Sequence, residues 1–584
     1  MYNYGLIGNC NISALVSTYG SLDWLCLPRP DSPPVFGSIL DPDGGSFTVD
    51  ANEVVETSQQ YILNTNILET VVTLGDGSQY KITDFCPRFN QYGRIYRPLS
   101  FFRIVTPISG TPRISIKCSP VNGWDKQPAE RIRGNSHIYF AIRGEQLRLT
   151  SNMPMTYLIE SKPYYLRETL YFALTWGHGL EDDLARVSVS FLEQTRHYWL
   201  MWVKQTSIPT LFQEQTIRSA LALKLHCFED TGAILASVTT SLPEEIGGQR
   251  NWDYRYCWLR DAYFTITAFR SLGHYEEMEG FLKYFLDIAQ SNDILSPVYK
   301  LDQTLPLPEF SHDNWSGYQN SIPVRSNNEA ANQIQNDVYG EMMLVLTPIF
   351  FDERFHHLRT KDHLSLIRKL VNSIEINLDK PDAGIWELRN NKQVHTFSLL
   401  MSWAGLSRLY RIQQSVGDIS LKIDAKLEYI IEQIRKTVHQ GVVYNSARDR
   451  SLDASLLLFP ILGYPDKELC RTTVYAIEKE LKFSRTKENP YLYRYQRIDD
   501  FGKPSSAFLI CSFWLIQALE IIGDHERAVQ YMQEVIKSGN HLQLYSEHYN
   551  PDMHNQIGNF PQAYSHVGLI NSAFAVSPQW GTIF

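Results

Sequence analysis

Asn251-Trp252-Asp253-Tyr254-Arg255-Tyr256-Cys257-Trp258-Leu259-Arg260-Asp261 concentrates Trp, Tyr, Arg and Asp in the way sugar-binding surfaces do. It runs straight into a segment of helical period at about 260–272. From about residue 213 onward that period persists, with helices predicted near 213–228, 260–272, 275–290, 333–351, 361–378, 396–414, 419–438, 453–460, 467–482, 505–522, 525–538 and 561–577.

The connections carry the fold. Several joins from an even segment to the next odd one are short: Gly273-His274, Ser415-Val416-Gly417-Asp418 and Gly523-Asp524. Joins from odd to even are mostly long and polar. They hold Trp252 and Tyr254, Pro323-Val324-Arg325, Gly384-Ile385-Trp386-Glu387, Tyr493-Arg494-Tyr495, and Tyr545-Ser546-Glu547-His548-Tyr549-Asn550-Pro551. Antiparallel helices with alternating long and short joins fit a double ring, the (α/α)6 barrel. Every long loop would then emerge at one end, and Glu387 and Glu547 would face each other there. A helical solenoid would leave that alternation unexplained.

Upstream, Glu69-Thr70-Val71-Val72-Thr73-Leu74 and Phe101-Phe102-Arg103-Ile104-Val105 are β-branched and aromatic, and Gly75-Asp76-Gly77-Ser78 is a turn signal. This predicts an N-terminal antiparallel β-sandwich over 1–181, a linker helix over 182–208 and the barrel over 209–584.

At 584 residues the chain exceeds one hydrophobic core. A net charge of −9 with no basic run argues against nucleic acid as the main partner. No apolar run is long enough to span a membrane. The start of the chain lacks a basic, then apolar leader, and the eight Cys show no paired metal or redox spacing, which suits free thiols in a reducing cytoplasm. His548 and His554 with Asp552 match no standard metal-ligand spacing. Cys257, set between large aromatics, is expected to be buried and inert.

Several of these motifs together resemble glycoside hydrolase family 15, the glucoamylase and bacterial trehalase-like family. Ile7-Gly8-Asn9 and Gly20-Ser21-Leu22-Asp23-Trp24-Leu25-Cys26-Leu27-Pro28 resemble the opening of its bacterial β-sandwich domain. Gly247-Gly248-Gln249-Arg250 leading into the stretch quoted first is the most specific match. Asp382-Ala383-Gly384-Ile385-Trp386-Glu387 resembles the general-acid loop. Ser546-Glu547, with Gly558-Asn559-Phe560-Pro561-Gln562-Ala563-Tyr564-Ser565-His566, resembles the base segment and last helix.

The resemblance implies Glu387 as general acid and Glu547 as general base of an inverting hydrolysis. Burial against Trp386 is expected to raise the pKa of Glu387. By the same resemblance Arg260, Asp261 and Arg325 bind substrate, with Trp252, Tyr254, Trp258, Trp386 and Tyr549 as aromatic sugar contacts. No cofactor and no metal are implied, since the chemistry needs two carboxylates and water.

Three places depart from the family pattern: Ser326-Asn327-Asn328 after Arg325, Ser505-Ser506 before Ala507-Phe508, and Ser398-Leu399. They leave the reaction intact and the substrate open. The leading expectation is exo-hydrolysis releasing β-glucose from α-glucans or maltooligosaccharides. With no starch-binding module evident after the last helix, soluble oligosaccharides are favoured over raw granules. The alternatives are an α,α-trehalase, which needs the same two carboxylates, and a catalytically silent glycan-binding protein.

Overall fold

The computed structural model describes residues 2–180, 182–416, 421–484 and 489–583. Gly417 and Asp418 of the turn expected after the sixth helix lie outside them. The N-terminal part is built of two antiparallel sheets, of seven and eight strands. Strands Leu68–Leu74 and Gln79–Phe85 pair through the turn at Asp76-Gly77, where the Asp76 carboxylate accepts the Ser78 N–H at 2.8 Å. Gly77 has φ +81°, a region open to glycine at little cost. Along Leu68–Leu74 every second residue is buried, the signature of a half-covered strand.

The two sheets meet face to face. Phe47 of the seven-stranded sheet packs edge-on against Phe101 and Phe172 of the other, at 6.1 and 5.8 Å. Arg103 is wholly buried there, paired with Asp84 at 2.8 Å and donating to the Phe47 carbonyl at 2.9 Å. Both charges therefore have partners, as burial requires.

Helix α1 (Leu184–Lys204) is capped by Asp183, whose carboxylate accepts the Arg186 N–H at 2.7 Å. It lies along both parts of the chain. Phe191 meets Phe102 of the sandwich at 5.6 Å, and Trp202 stacks on His274 at 3.8 Å.

The helices that follow are α2 (Gln213–Lys224), α3 (Leu259–Leu272), α4 (Tyr275–Ser291), α5 (Asp337–Phe351), α6 (Lys361–Asn377), α7 (Thr396–Val416) and α8 (Asp424–Lys436). They continue with α9 (Leu458–Ile461, entered through a 3-10 turn at Ala454–Leu457), α10 (Lys467–Leu481), α11 (Leu509–Ile521), α12 (His525–Val535) and α13 (Ala563–Val576). Among the described residues α3, α5, α7, α9, α11 and α13 form a closed cycle, α7 meeting the 3-10 turn that leads into α9 and α13 returning to α3. The intervening helices pack outside it, α12 on α11 and α8 on α7 for instance. The chain is thus a β-sandwich followed by an (α/α)6 barrel.

Sequence sorts the rings. Inner helix α11 is apolar on all sides and buried along nearly its whole length. Outer helix α12 buries only Ala528, Tyr531, Met532 and Val535, one face at helical spacing. Some helices start later than their periodicity predicts, α11, α5 and α8 among them. Ala507–Phe508 joins a small sheet with His548–Asn550, so α11 begins at Leu509. Before α5, the Asn336 N–H is taken by the Asp382 carboxylate at 2.7 Å.

Inner helices α5 and α7 touch through glycine. A Cβ on Gly340 would lie 2.2 Å from the Met401 carbonyl oxygen, and one on Gly405 would lie 2.9 Å from that of Gly340. Gly340→Ala is expected to push the helices apart and cost about 1–3 kcal/mol, the usual penalty of overpacking. A lower urea midpoint checks this, and an unchanged midpoint contradicts it.

Candidate active site

A cavity lies where the loops entering the inner helices meet. Its walls carry Glu387, Glu547, Arg260, Asp261, Trp252, Tyr254, Trp258 and Trp386, which come from segments far apart in the chain, Arg260 and Asp261 from the first turn of α3. Two expected contacts are absent from these walls. Arg325 pairs with Glu309 at 3.0 Å and donates to the carbonyls of Gln249 and Asn251, so it braces the loop that bears Trp252. Tyr549 is buried, with its ring centroid 5.0 Å from that of Tyr491.

Glu387 sits in the α6–α7 loop, with Gly384 at φ +67° and Glu387 itself at φ +61°. A left-handed glutamate is costly, and such strain persists only where surroundings enforce it. Here the loop is clamped by Asp382, which accepts from Asn336 and from the Ser398 hydroxyl, both at 2.7 Å. Burial, with the charge of Asp337, pushes the Asp382 carboxyl up to about 7. The Glu387 carboxylate accepts the Trp258 indole N–H at 2.6 Å and lies 3.5 Å from the Arg260 guanidinium. The expected burial against Trp386 is not found. That indole donates instead to Asp453 at 2.9 Å, and the Glu387 side chain is 23% exposed.

Glu547 is buried in the lining of the same cavity and accepts the Tyr254 hydroxyl at 2.9 Å. Gly558 allows its placement: a Cβ there would lie 2.8 Å from a Glu547 carboxylate oxygen. The two glutamates are linked through a pair of touching rings. Tyr254, on Glu547, meets Trp258, on Glu387, edge-on at 5.3 Å.

Around Glu547 stand residues to which the sequence motifs assign no role in the site. Glu244 pairs with Arg494 at 3.1 Å, and its burial is outweighed by Arg494 and Arg250, which hold its carboxyl below the usual range. Burial pushes Glu547 well above that range; the nearby Glu244 charge adds to this, while the Tyr254 hydrogen bond and Arg494 oppose it. Burial also pushes His548 down to about 3, so the imidazole is neutral; its Nδ1 meets the Ser506 hydroxyl at 3.1 Å. One of the family departures therefore underlies the base segment. Asp261, paired with Arg260 at 3.1 Å, is pushed up to about 6, first by burial and then by Glu387, with Arg260 opposing.

Among the described residues, Glu244, Glu547 and His548 bring donor atoms within 4.8 Å of one another. Arg494 already supplies the positive charge that a metal would bring there. All eight cysteines are free and buried, Cys257 among them. No helix among the described residues is long and apolar enough to cross a membrane.

Residues 212–574 match the family model described as glycosyl hydrolases family 15, and residues 2–137 match the one described as trehalase-like, N-terminal. A trehalase of Mycolicibacterium smegmatis is 31% identical, over 98% of this chain and 91% of its own. A trehalase of Thermoplasma volcanium is 30% identical, over 98% and 92%. A bacterial glucoamylase crystallised with acarbose superposes with a TM-score of 0.69 over 98% of this chain and 94% of its own, at 13% identity. That likeness speaks for the fold.

The electrostatics yield a stability test. The folded state holds Glu547 above its unfolded value of roughly 4.3. Ionising it at neutral pH therefore costs folding free energy, and the cost vanishes below the unfolded pKa, where both states are protonated. Glu547→Gln is expected to melt higher than the wild type at pH 7, with the gap closing toward pH 4. Equal melting temperatures at both pH values would contradict this.

Proposed function

The chain belongs to glycosyl hydrolase family 15, a family of glycosidases, and on that premise we propose that it hydrolyses α,α-trehalose with inversion. The observation that carries the choice of substrate is the near full-length similarity to trehalases at about 30% identity, sandwich included. This replaces the α-glucan as the leading substrate. The glucoamylase likeness, at 13% identity, carries no argument about substrate.

In this reading one glucose of trehalose fills the inner end of the cavity, where the buried charges of Arg260 and Asp261 meet its hydroxyls. Glu387 passes its proton to the bridging oxygen as the bond to C1 breaks. Glu547 takes a proton from a water attacking C1 from the opposite face; carboxyls in inverting sites stand roughly 6.5–9.5 Å apart to admit it. The attacked ring leaves as β-glucose and the other as α-glucose. Protons return through solvent to restore Glu387 as acid and Glu547 as base.

Because Glu547 has to be ionised to act, activity falls as pH drops through its raised pKa. The acidic limb of kcat/KM is therefore expected above the usual carboxylate range. Tyr254 favours the ionised form by donating to it, so Tyr254→Phe is expected to move that limb to higher pH.

Proton NMR in the first minutes of reaction tests the function. Trehalose is expected to give equal α- and β-glucose, and maltose little of either. Glu387→Gln and Glu547→Gln are each expected to lose roughly 10²–10⁴-fold in kcat. β-Glucose from maltooligosaccharides alone would restore the glucan reading. α-Glucose as sole product would overturn the acid and base roles, and silence across the sugars would favour a binding protein.

A further inference from the structure

We propose that the tip of the α10–α11 loop is a strap across the cavity mouth that confines the enzyme to two-ring substrates, an inference that rests on the trehalose reading for the identity of the two rings. The tip is a tight hairpin. Asp499 and Gly502 exchange backbone hydrogen bonds of 3.1 and 3.2 Å, with Asp500 and Phe501 between them. Gly502 at φ +98° lets the chain turn back.

Its partners are in the wrong place for a loop that merely folds beside its neighbours. Around the ring, the α10–α11 loop stands between the α8–α9 and α12–α13 loops. Its tip instead bonds to the α2–α3 and α6–α7 loops, each two places away. The Asp499 carboxylate takes both terminal nitrogens of Arg250, at 2.6 and 2.8 Å, and Arg250 also donates to the Gly502 carbonyl at 2.9 Å. The Asp500 carboxylate takes the Arg389 backbone N–H at 2.7 Å and the Asn390 side-chain amide at 2.8 Å. Reaching both partners means crossing the opening.

The crossing is sealed by rings and cations. Phe501 meets Trp252 edge-on at 5.1 Å. The Arg389 guanidinium lies 5.0 Å from the Trp252 ring and 5.5 Å from that of Phe501, and that of Arg325 lies 4.5 Å from Trp252. Glu309 holds both arginines, each at 3.0 Å. Trp252 is therefore a post for the strap rather than an open stacking platform. The Arg250–Asp499 pair is two-pronged and nearly buried, the kind of ion pair that holds a loop in place.

Asp499, Asp500 and Phe501 line the same cavity as Glu387 and Glu547. The space between strap and carboxyls is where the leaving ring would lie, within reach of Arg250, Arg494 and Asp499. A third ring attached to it would have to pass through the Phe501–Trp252–Arg389 contact.

The test compares kcat/KM within two pairs, trehalose against its 4-O-α-glucosyl trisaccharide and maltose against maltotriose. Wild type is expected to disfavour the three-ring member of the pair it hydrolyses by roughly 100-fold, the scale of a steric mismatch in a closed site. Asp500→Ala and Phe501→Ala are each expected to narrow that ratio about tenfold. Asn390→Ala, which removes one strap bond without entering the cavity lining, gives a milder version of the same change if either variant fails to fold. Equal rates for two and three rings in wild type, or an unchanged ratio in folded variants, would overturn the strap. Maltose preferred over trehalose would overturn the trehalose reading and leave the ring-count ratio to judge the strap by itself.

Discussion

The buried ion pair of Arg255 with Asp253 holds the cavity's inner wall in place. Arg255 donates to Asp253 at 2.8 and 2.7 Å and reaches the sandwich, where the Ser32 carbonyl accepts at 2.6 Å. Asp253 accepts in turn from the Asn327 N–H at 3.1 Å, and the Asn328 side chain donates to its carbonyl at 3.2 Å. Neither side chain is exposed, so each charge depends on the other and on these hydrogen bonds. The loop so pinned carries Trp252, Tyr254, Trp258 and Arg260. Those residues touch the strap, Glu547 and Glu387. The N-terminal sandwich is thus part of what gives the cavity its shape, although no residue of it lines the cavity.

The same loop organises the proton inventory. Tyr254 serves Glu547 and Trp258 serves Glu387, so both carboxyls take hydrogen bonds from one short segment. What differs is their setting. Glu387 is partly open and faces Arg260, whereas Glu547 is closed in beside Glu244, an acid already claimed by Arg494. Burial and a like charge make Glu547 expensive to ionise, and the Tyr254 hydroxyl lessens that expense.

Much of this was legible from periodicity and loop chemistry. Helical periods located the inner and outer helices to within a few residues, because an apolar helix buried on all sides and a one-faced helix leave different patterns. The errors fell where partners distant in sequence intervened. Ala507–Phe508 looked helical and became a strand because His548–Tyr549 lay alongside to take its hydrogen bonds. Trp386 looked like the neighbour that buries Glu387, yet its indole had Asp453 to satisfy. Arg325 and Tyr549 carried the right chemistry in the right loops and point elsewhere. Glu244, Arg250, Arg494 and Asp499 went unmarked as site residues because a lone charge on a loop has no sequence pattern of its own.

The amino-acid sequence by itself determined which segments are strands and helices, that long loops gather at one end of a double ring, and which two glutamates those loops carry. These follow from local periodicity and from ring topology, which need no knowledge of distant contacts. Only the tertiary structure decided which side chains face the cavity, which acid is forced toward its protonated form, and that the Asp499–Gly502 hairpin pairs with loops two places away around the ring. Those outcomes depend on desolvation and on pairings between residues hundreds of positions apart, such as Arg250 with Asp499 and Tyr254 with Glu547. No local pattern encodes such pairings; they exist once the rings have closed and brought the loops together.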